Sequence, residues 1–310
     1  MGDRPRSTKE PPMTAPGEAS PDLATETFLA HRNLLFTVAY EMLGSAADAE
    51  DVLQETWLKW AGVNLDEIRE HRAYLVRITT RQALTRLRTL GRRKESYVGT
   101  WLPEPLLTAP DVAEDVELAD HVSMAMLLVL ETLRPTERAV FVLREVFDLP
   151  YDEIAEAVGK TPAAVRQIGH RARSHVSARR PRGDVTPAET RGALEAFHRA
   201  VETGDLQGLL DLLAPDVVFL GDGGGVKQAV LRPIVGADKV ARLLAAGSAQ
   251  IPAPLRPMQV NGHPALVLKL DGEVDTVLTL RIDEGKITGL YAVRNPAKLS
   301  HMDTETSLRR

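Results

Sequence analysis

The most constraining feature of this 310-residue sequence is the segment 151–173, which contains two short helical patterns in immediate succession. The first pattern has apolar residues at the spacing of a helix with one buried face, namely Tyr151, Ile154, Ala155 and Val158. Gly159 ends that helix, and Thr161 followed by Pro162 starts a second helix almost at once. The segment therefore predicts two helices joined by the short turn of a helix-turn-helix.

The second of these helices presents a basic surface. Its predicted buried stripe consists of Val165, Ile168, Ala172 and Val176, and no acidic residue occurs between Glu156 and Asp184. Such a helix neutralises DNA phosphates while residues near its N-terminus reach base edges in the major groove. A solvated basic helix in a helical bundle stays open as the alternative. The candidate DNA contacts are Thr161, Arg166, Gln167, His170, Arg171 and Arg173.

Charge is strongly segregated along the chain, although its net value is only −5. Residues 69–94 contain nine Lys or Arg against one acid, Glu70. Two separate basic segments predict two distinct contacts with nucleic acid rather than a general affinity for it. The absence of cysteine excludes disulfides, thiolate metal sites and cysteine nucleophiles. The sequence has no transmembrane run and no signal pattern, so we expect a cytoplasmic protein without membrane contact. We also expect no catalytic site, metal or cofactor.

Breaks in composition predict the domain organisation. The predicted parts are a disordered leader (1–21), a helical domain (22–95), a connector (96–117), a helical domain with the helix-turn-helix (118–180), an α+β domain (187–299) and a tail (300–310). Within the α+β domain we expect a helix over 188–213 that breaks at Gly204. Strands are expected at 217–220, 265–270, 274–282 and 286–293, the last three forming an antiparallel meander.

The first helical domain contains a helix with two different faces. Ser45 and Asp48 have the spacing of a capping box, and an apolar stripe of Ala49, Leu53, Trp57 and Trp60 predicts its core face. A second stripe is acidic, and its simplest interpretation is a solvated face near the helix N-terminus. However, the sequence Asp48-Ala-Glu-Asp-Val-Leu-Gln-Glu-Thr-Trp57 resembles the segment by which bacterial sigma factors grip the coiled coil of the largest RNA polymerase subunit.

The order of the remaining motifs resembles the extracytoplasmic-function group of sigma factors. Residues 69–94 are similar to the part of sigma domain 2 that recognises and melts the minus-10 element. Leu133-Arg-Pro-Thr-Glu-Arg138 followed by the helix-turn-helix is similar to sigma domain 4, which reads the minus-35 element. The resemblance implies all-α sigma domains 2 and 4, with core RNA polymerase and promoter DNA as partners.

The same resemblance implies two sets of contacts in the first helical domain. The core-polymerase set is Asp48, Glu50, Asp51, Gln54 and Glu55, and the minus-10 set is Tyr74, Arg77, Arg81, Arg88 and Arg92. Tyr74 is equally compatible with a core aromatic. Many members have Trp at the position of Tyr74, Asn at that of Arg81 and Asp at that of Thr85, so the resemblance does not extend to a promoter sequence.

A narrower resemblance is to sigma-J-like members with a fused C-terminal SnoaL-like domain. It rests on Trp101-Leu-Pro-Glu-Pro105, Asp222-Gly-Gly-Gly225 and Asn295-Pro-Ala-Lys-Leu299, with Ala297 where Asp is common. The resemblance implies that the extra domain regulates the sigma domains in cis. Packing of Trp101 on its own helical domain stays open. The implied regulatory contacts are Trp101, Asp222, Gly223, Gly224, Gly225, Asn295, Pro296, Lys298 and Leu299.

A second hypothesis is a DNA-binding regulator or fusion enzyme whose SnoaL-like pocket binds or converts a small molecule. An isomerase of the ketosteroid type needs an Asp base with a Tyr and a protonated acid. The C-terminal domain has a single tyrosine, Tyr291, and scattered histidines at His198, His263 and His301. The loop from Asp222 to Lys227 lacks the strand-loop-helix spacing of a phosphate-binding P-loop.

Overall fold

The structure is a computed structural model that describes residues 21–109, 112–113, 115–180, 186–248 and 253–310. The predicted leader, 1–21, lies outside the described residues except for Pro21, where the first helix begins.

Three helices form the first helical domain: α1 (Pro21–Leu43), α2 (Ala46–Trp60) and α3 (His71–Glu95). A one-turn 3₁₀ helix, Leu65–Glu67, lies between α2 and α3. The Ser45 hydroxyl accepts a hydrogen bond from the Asp48 N–H and caps α2 as predicted. Trp60 is fully buried and donates its indole N–H to the Ala24 carbonyl at 2.8 Å. The apolar stripe of α2 therefore forms the core of this domain.

The second helical domain contains α4 (Val116–Val122), α5 (Met124–Glu131), α6 (Pro135–Phe141), α7 (Tyr151–Val158) and α8 (Pro162–Ser177), with a π-helical turn, Val142–Val146, after α6. Helices α7 and α8 are the predicted helix-turn-helix. Gly159 ends α7 at a φ of +69°, and the Thr161 hydroxyl caps α8 by accepting from the Ala164 N–H. The predicted stripe of α8 is buried in a core that both helical domains share.

The C-terminal domain is an α+β unit. Its elements are α9 (Pro187–Thr203), α10 (Leu206–Leu212), β1 (Leu213–Asp222), β2 (Ile234–Val235), α11 (Ala237–Ser248), β3 (Arg256–Val260), β4 (His263–Leu270), β5 (Glu273–Asp283), β6 (Lys286–Val293) and α12 (Pro296–Leu299). The strand order is β2-β1-β6-β5-β4-β3, with β1 and β6 parallel and the other pairs antiparallel. The fold class predicted from the sequence, all-α followed by α+β, is confirmed. The sequence analysis missed β2, β3 and α11.

Both faces of the sheet are buried. Leu266, Leu278 and Leu290 pack with helices α9 to α11. Side chains alternate along a strand, so their neighbours point to the opposite face. On that second face, Ala265, Val267, Val277, Tyr291 and Val293 pack with Leu102 of the connector and Met124 of α5. The C-terminal domain is thereby joined to the rest of the chain by an apolar sheet face.

The connector adds a short strand to the edge of this sheet. Leu107 pairs with Val260 of β3 in antiparallel fashion, and Thr108 pairs with Thr306 of the tail in parallel fashion. The Thr108 N–H donates to the Gln259 carbonyl at 3.1 Å, and the Thr306 N–H donates to the Leu107 carbonyl at 2.8 Å. The edge of β3 is therefore covered by the connector and the tail.

The β3–β4 turn contacts both helical domains and the connector. It is a two-residue hairpin turn formed by Asn261 and Gly262, both with positive φ. The Asn261 side chain accepts from the Leu106 N–H at 2.9 Å. It donates to the Tyr40 hydroxyl at 2.7 Å and to the Val122 carbonyl at 2.8 Å. One buried amide thus joins α1, the connector and α4.

A buried charge cluster joins the two helical domains. The Arg138 side chain is 1% exposed and donates to the Glu41 carbonyl at 2.9 Å and to the Glu131 carboxylate at 2.5 Å. Lys94 also pairs with Glu131. The Glu41 carboxyl group is fully buried and has no hydrogen-bond partner among the described residues. Burial raises the pKa of Glu41 to about 8, and the Arg138 guanidinium opposes that rise.

Replacing Gly262 with alanine is expected to weaken docking of the β3–β4 turn. A Cβ at Gly262 would lie 2.7 Å from the Ala119 Cβ of α4, whereas nothing lies within 4 Å of the corresponding point at Gly272. Both glycines have positive φ, so Gly272→Ala controls for backbone strain. In urea unfolding, we expect Gly262→Ala to lose roughly 1–3 kcal/mol more stability than Gly272→Ala. Equal losses would contradict the docking described.

Replacing Glu41 with glutamine is expected to remove a pH dependence of stability. Because the folded-state pKa of Glu41 is raised to about 8 from 4.5, its contribution is fully present below pH 4.5 and is lost as pH rises through 8. Glutamine keeps the shape without the charge. The variant should therefore match wild type near pH 5 and exceed it near pH 9. Each unit of pKa shift corresponds to about 1.4 kcal/mol. A wild-type advantage at high pH in thermal unfolding would refute this assignment.

Candidate functional site

The predicted DNA-reading helix α8 is open to solvent. All six candidate residues are exposed in the structure: Thr161, Arg166, Gln167, His170, Arg171 and Arg173. Arg173 is bound by Glu145, which accepts two hydrogen bonds at 2.7 and 3.1 Å. Arg166 and Gln167 lie in the N-terminal half of α8, where a recognition helix meets base edges. Apart from Arg173, these side chains are exposed without an ion pair among the described residues.

The predicted minus-10 surface on α3 is partly covered by α7. The Arg77 guanidinium donates to the Glu156 carboxylate at 2.8 Å, and Arg81 donates to the main-chain carbonyl of the same residue at 2.8 Å. Tyr74 is half-buried, and its ring centroid lies 6.0 Å from that of Trp60 and 4.8 Å from the Arg77 guanidinium. Arg88 is exposed, and the side chain of Arg92 lies outside the described part of the chain.

The predicted polymerase-binding residues on α2 fall into two groups. Asp51, Gln54 and Glu55 are exposed. Asp48 is buried and binds Arg86 of α3 at 2.7 Å, while the half-buried Glu50 binds Arg32 of α1 at 2.8 Å. These two acids hold α2 in place within the domain.

Leu58 extends the exposed face of α2 by one turn. It is 73% exposed and follows Gln54 and Glu55 at helical spacing, a position that the sequence analysis did not single out. The sequence could have identified Leu58, because it is an apolar residue on an otherwise polar stripe of the helix.

Asp222 is the centre of the predicted regulatory contacts. Its carboxylate is buried at the end of β1. One oxygen accepts from the Tyr97 hydroxyl at 2.6 Å and the Gly224 N–H at 3.0 Å. The other accepts from the Leu102 N–H at 2.9 Å and from Lys298 Nζ at 2.8 Å. Lys298 also donates to the Leu102 carbonyl, so both main-chain groups of Leu102 are held by the C-terminal domain.

Trp101 lies between two lysines from different domains. The Lys94 ammonium is 3.6 Å from the ring centroid and the Lys298 ammonium is 4.0 Å from it. Both distances fit cation–π contacts. Burial lowers the pKa of Lys298, and the Asp222 carboxylate opposes that shift. Trp101 therefore contacts its own helical domain and the C-terminal domain at once.

The structure also places the remaining predicted regulatory residues. Asn295 is buried and donates to the Tyr97 hydroxyl at 2.7 Å. A Cβ at Gly224 would lie 2.5 Å from the Asn295 side chain, so this contact requires glycine there. Leu299 packs in the cluster on the second sheet face, and Gly223 is buried. Pro296 and Gly225 are exposed.

Glu104 is a contact that the sequence analysis missed, although it lies inside the Trp101–Pro105 motif. Its carboxylate accepts from the Ser45 hydroxyl at 2.8 Å and from the N–H groups of Ala46 at 2.6 Å and Ala47 at 3.2 Å. Burial raises the pKa of Glu104, and these hydrogen bonds oppose the rise. The connector therefore caps α2, the helix that carries the candidate polymerase contacts.

The candidate residues of an enzyme are not brought together. Tyr291 faces the helical domains, whereas His198 lies on α9 against the opposite face of the sheet. His263 is hydrogen-bonded to the Ala119 carbonyl at 3.0 Å, and Lys227 pairs with Asp275 at 2.6 Å.

Among the described residues, no three or more His, Asp or Glu side chains lie close enough together to hold a metal. In the same part of the chain, every helix is too short or too polar to cross a membrane.

Comparison with known proteins gives matches over both helical domains and beyond. The family model of Sigma-70 region 2 matches residues 22–93, and that of Sigma-70 region 4 matches residues 123–176. The chain is 36% identical over 292 residues to the ECF RNA polymerase sigma factor SigJ of Mycobacterium tuberculosis, covering 88% of this chain and 92% of SigJ. It is 33% identical over 287 residues to the probable ECF sigma factor SigI of the same organism, covering 92% of this chain and 97% of SigI.

The crystal structure of M. tuberculosis SigJ has the same overall fold. It superposes with a TM-score of 0.72 at 34% identity and covers 90% of this chain and 99% of that chain. The C-terminal domain is thus part of the shared architecture. These findings confirm the predicted sigma domains and the predicted role in promoter-specific transcription initiation with RNA polymerase. By its near-full-length similarity to such proteins, the chain belongs to the extracytoplasmic-function sigma factors of RNA polymerase.

Proposed function

We propose that this sigma factor adopts a closed form in which its C-terminal domain restrains the two helical domains and limits promoter engagement. The observation that carries the proposal is the binding of Arg77 and Arg81 to Glu156. In this form the Glu156 carboxylate occupies the place of a DNA phosphate on Arg77. Melting at the minus-10 element then requires α7 to leave α3.

The masking contact is weak on its own. The Arg77 and Glu156 side chains are 32% and 65% exposed, and exposed ion pairs contribute about 0–1 kcal/mol. Closure must therefore depend on buried contacts. Between the two helical domains these are the shared apolar core and the cluster of Lys94, Glu131 and Arg138. The hydrogen bonds of Asp222 and Asn261 and the apolar second face of the sheet add the restraint from the C-terminal domain.

The proposed polymerase contacts are accessible in the closed form. We assign core binding to Asp51, Gln54 and Glu55 on the exposed face of α2, with Leu58 as an apolar neighbour. Asp48 and Glu50 act indirectly, because their pairs with Arg86 and Arg32 position α2. Core polymerase can thus bind before the minus-10 surface is released.

The proposed minus-35 contacts are accessible as well. Exposure of Arg166 and Gln167 on α8 supports base reading there, with His170, Arg171 and Thr161 beside the phosphates. Arg173 would have to exchange Glu145 for a phosphate. A sigma factor acts where RNA polymerase is, so the proposed location is the cytoplasm.

We propose no enzymatic activity for the C-terminal domain. Its tyrosine and several of its polar residues are used in contacts with the rest of the chain, which supports a structural role. The proposed restraint does not require a small-molecule ligand of this domain.

Replacing Glu156 with alanine is expected to increase promoter-dependent transcription. Loss of an exposed pair worth about 0–1 kcal/mol corresponds to an increase of up to roughly fivefold. Glu153 is exposed on the same helix and forms no ion pair among the described residues, so Glu153→Ala is the matched control. In vitro transcription with core polymerase measures both.

The same assay separates masking from other effects of Glu156. If the C-terminal domain enforces the contact, Asp222→Asn alone also raises transcription. Adding Glu156→Ala to it then gains less than the product of the single effects. A Glu156→Ala variant no more active than Glu153→Ala would refute masking, and an inactive or unchanged Asp222→Asn would refute restraint by the C-terminal domain.

Reversing charge on the exposed face of α2 is expected to weaken binding to core polymerase. The double variant Gln54→Lys/Glu55→Lys keeps Asp48, the main partner of Arg86, but removes the hydrogen bond from Gln82 to Glu55 and the 4.0 Å pair of Glu55 with Arg86, so its fold is checked by circular dichroism. Glu26→Lys on α1, also exposed, is the control. We expect the double variant to bind at least about tenfold more weakly, because like charges across an interface cost several kcal/mol. Binding equal to the control in a pull-down titration would exclude this face.

A further inference from the structure

The last five residues of the chain end in a cleft formed by three other segments. The Thr306 N–H donates to the Leu107 carbonyl of the connector at 2.8 Å. Leu308 is 3% exposed and belongs to the core shared by the two helical domains. The Arg309 N–H donates to the Thr37 hydroxyl of α1 at 3.0 Å. The tail therefore contacts the connector and the first helical domain through main-chain bonds and one buried side chain.

Arg310 extends the contact to the second helical domain. Its guanidinium pairs with Asp115 at 3.1 Å and with Glu117, both at the start of α4. Met302 is fully buried in the cluster on the second sheet face, so the tail is also fixed to the C-terminal domain. The tail thus contacts the connector, α1, the start of α4 and the second sheet face, and none of these contacts involves Asp222.

The chemistry of the cleft specifies its occupant. The open main-chain carbonyl of Leu107 suits an added extended strand, which gains affinity from main-chain hydrogen bonds. The apolar site of Leu308 selects a leucine-sized side chain. The carboxylates of Asp115 and Glu117 select a cationic side chain two positions after that leucine, where Arg310 stands. The adjacent Arg309 is exposed, and its side chain forms no ion pair among the described residues.

We infer that this cleft is a peptide-binding site whose occupant is residues 306–310 of the same chain. The bound tail stabilises the closed form, and we call this contact the latch. The inference rests on the proposed closed form and goes beyond it by naming the site and the peptide. Because the tail touches α1 and α4 together, its release loosens the two helical domains without disturbing Asp222 or Leu102.

The test uses a chain that ends at Glu305 and a synthetic peptide of residues 306–310 with an N-terminal fluorophore. We expect the shortened chain to transcribe several-fold more than the full chain. Fluorescence anisotropy should show the peptide binding the shortened chain but not the full chain, where the site is filled. Added peptide should return transcription to the full-chain level.

Two variant peptides provide matched controls. Arg309→Ala should bind and repress as the unmodified peptide does, whereas Arg310→Ala should bind roughly tenfold more weakly because it loses both carboxylate contacts. If the shortened chain does not fold, the full chains with Arg310→Ala and Arg309→Ala are compared instead. Only the Arg310→Ala chain should gain transcription.

Three results would contradict the proposed latch. They are no peptide binding, equal binding of the two variant peptides, or peptide binding without an effect on transcription. These outcomes are distinguishable from failure of the closed form itself. If Glu156→Ala and Asp222→Asn raise transcription while the tail variants do not, the closed form stands and the latch alone fails.

Discussion

The closed arrangement depends on the buried carboxylate of Asp222. It holds the Leu102 N–H and Lys298 at once, and Lys298 in turn holds the Leu102 carbonyl and lies against Trp101. A buried ion pair adds little net stability compared with apolar packing, but removing one partner leaves an uncompensated charge. Asp222 therefore fixes where the connector runs rather than how stable the molecule is. From there, Glu104 reaches the N-terminus of α2.

The contacts that close the molecule and those that mask DNA-binding residues differ in strength. Asn261 and Asp222 are about 1% exposed, whereas Arg77 and Glu156 remain substantially exposed. The buried contacts set the geometry, and the exposed pair follows from it. In the proposed closed form, core polymerase and promoter DNA first compete for these exposed groups. In the proposed closed form the C-terminal domain acts through its position, and its second sheet face is the surface that packs on the helical domains.

Sequence periodicity was sufficient for most of the helices, for four of the six strands and for the faces of α2 and α8. The stripes of α2 and α8, the break at Gly204 and the β4–β5–β6 meander follow from local rules and were predicted. The Asn261–Gly262 turn, Glu104 and Leu308 were not predicted, because their partners lie far away in sequence. The Asn-Gly pair marks a hairpin but not what the hairpin touches. Likewise, the sequence shows an acidic residue at position 48. The burial of the Asp48 side chain against Arg86 depends on how α2 packs on α3, which the sequence does not show.

The most direct test of the central claim is a distance between α3 and α7 before and after the protein engages its partners. The chain has no cysteine, so Thr85→Cys and Asp152→Cys, both at exposed positions, accept a unique pair of spin labels. The account predicts one short distance in the free protein and a longer one in the complex with core polymerase and promoter DNA. The same short distance in a transcribing complex would contradict it.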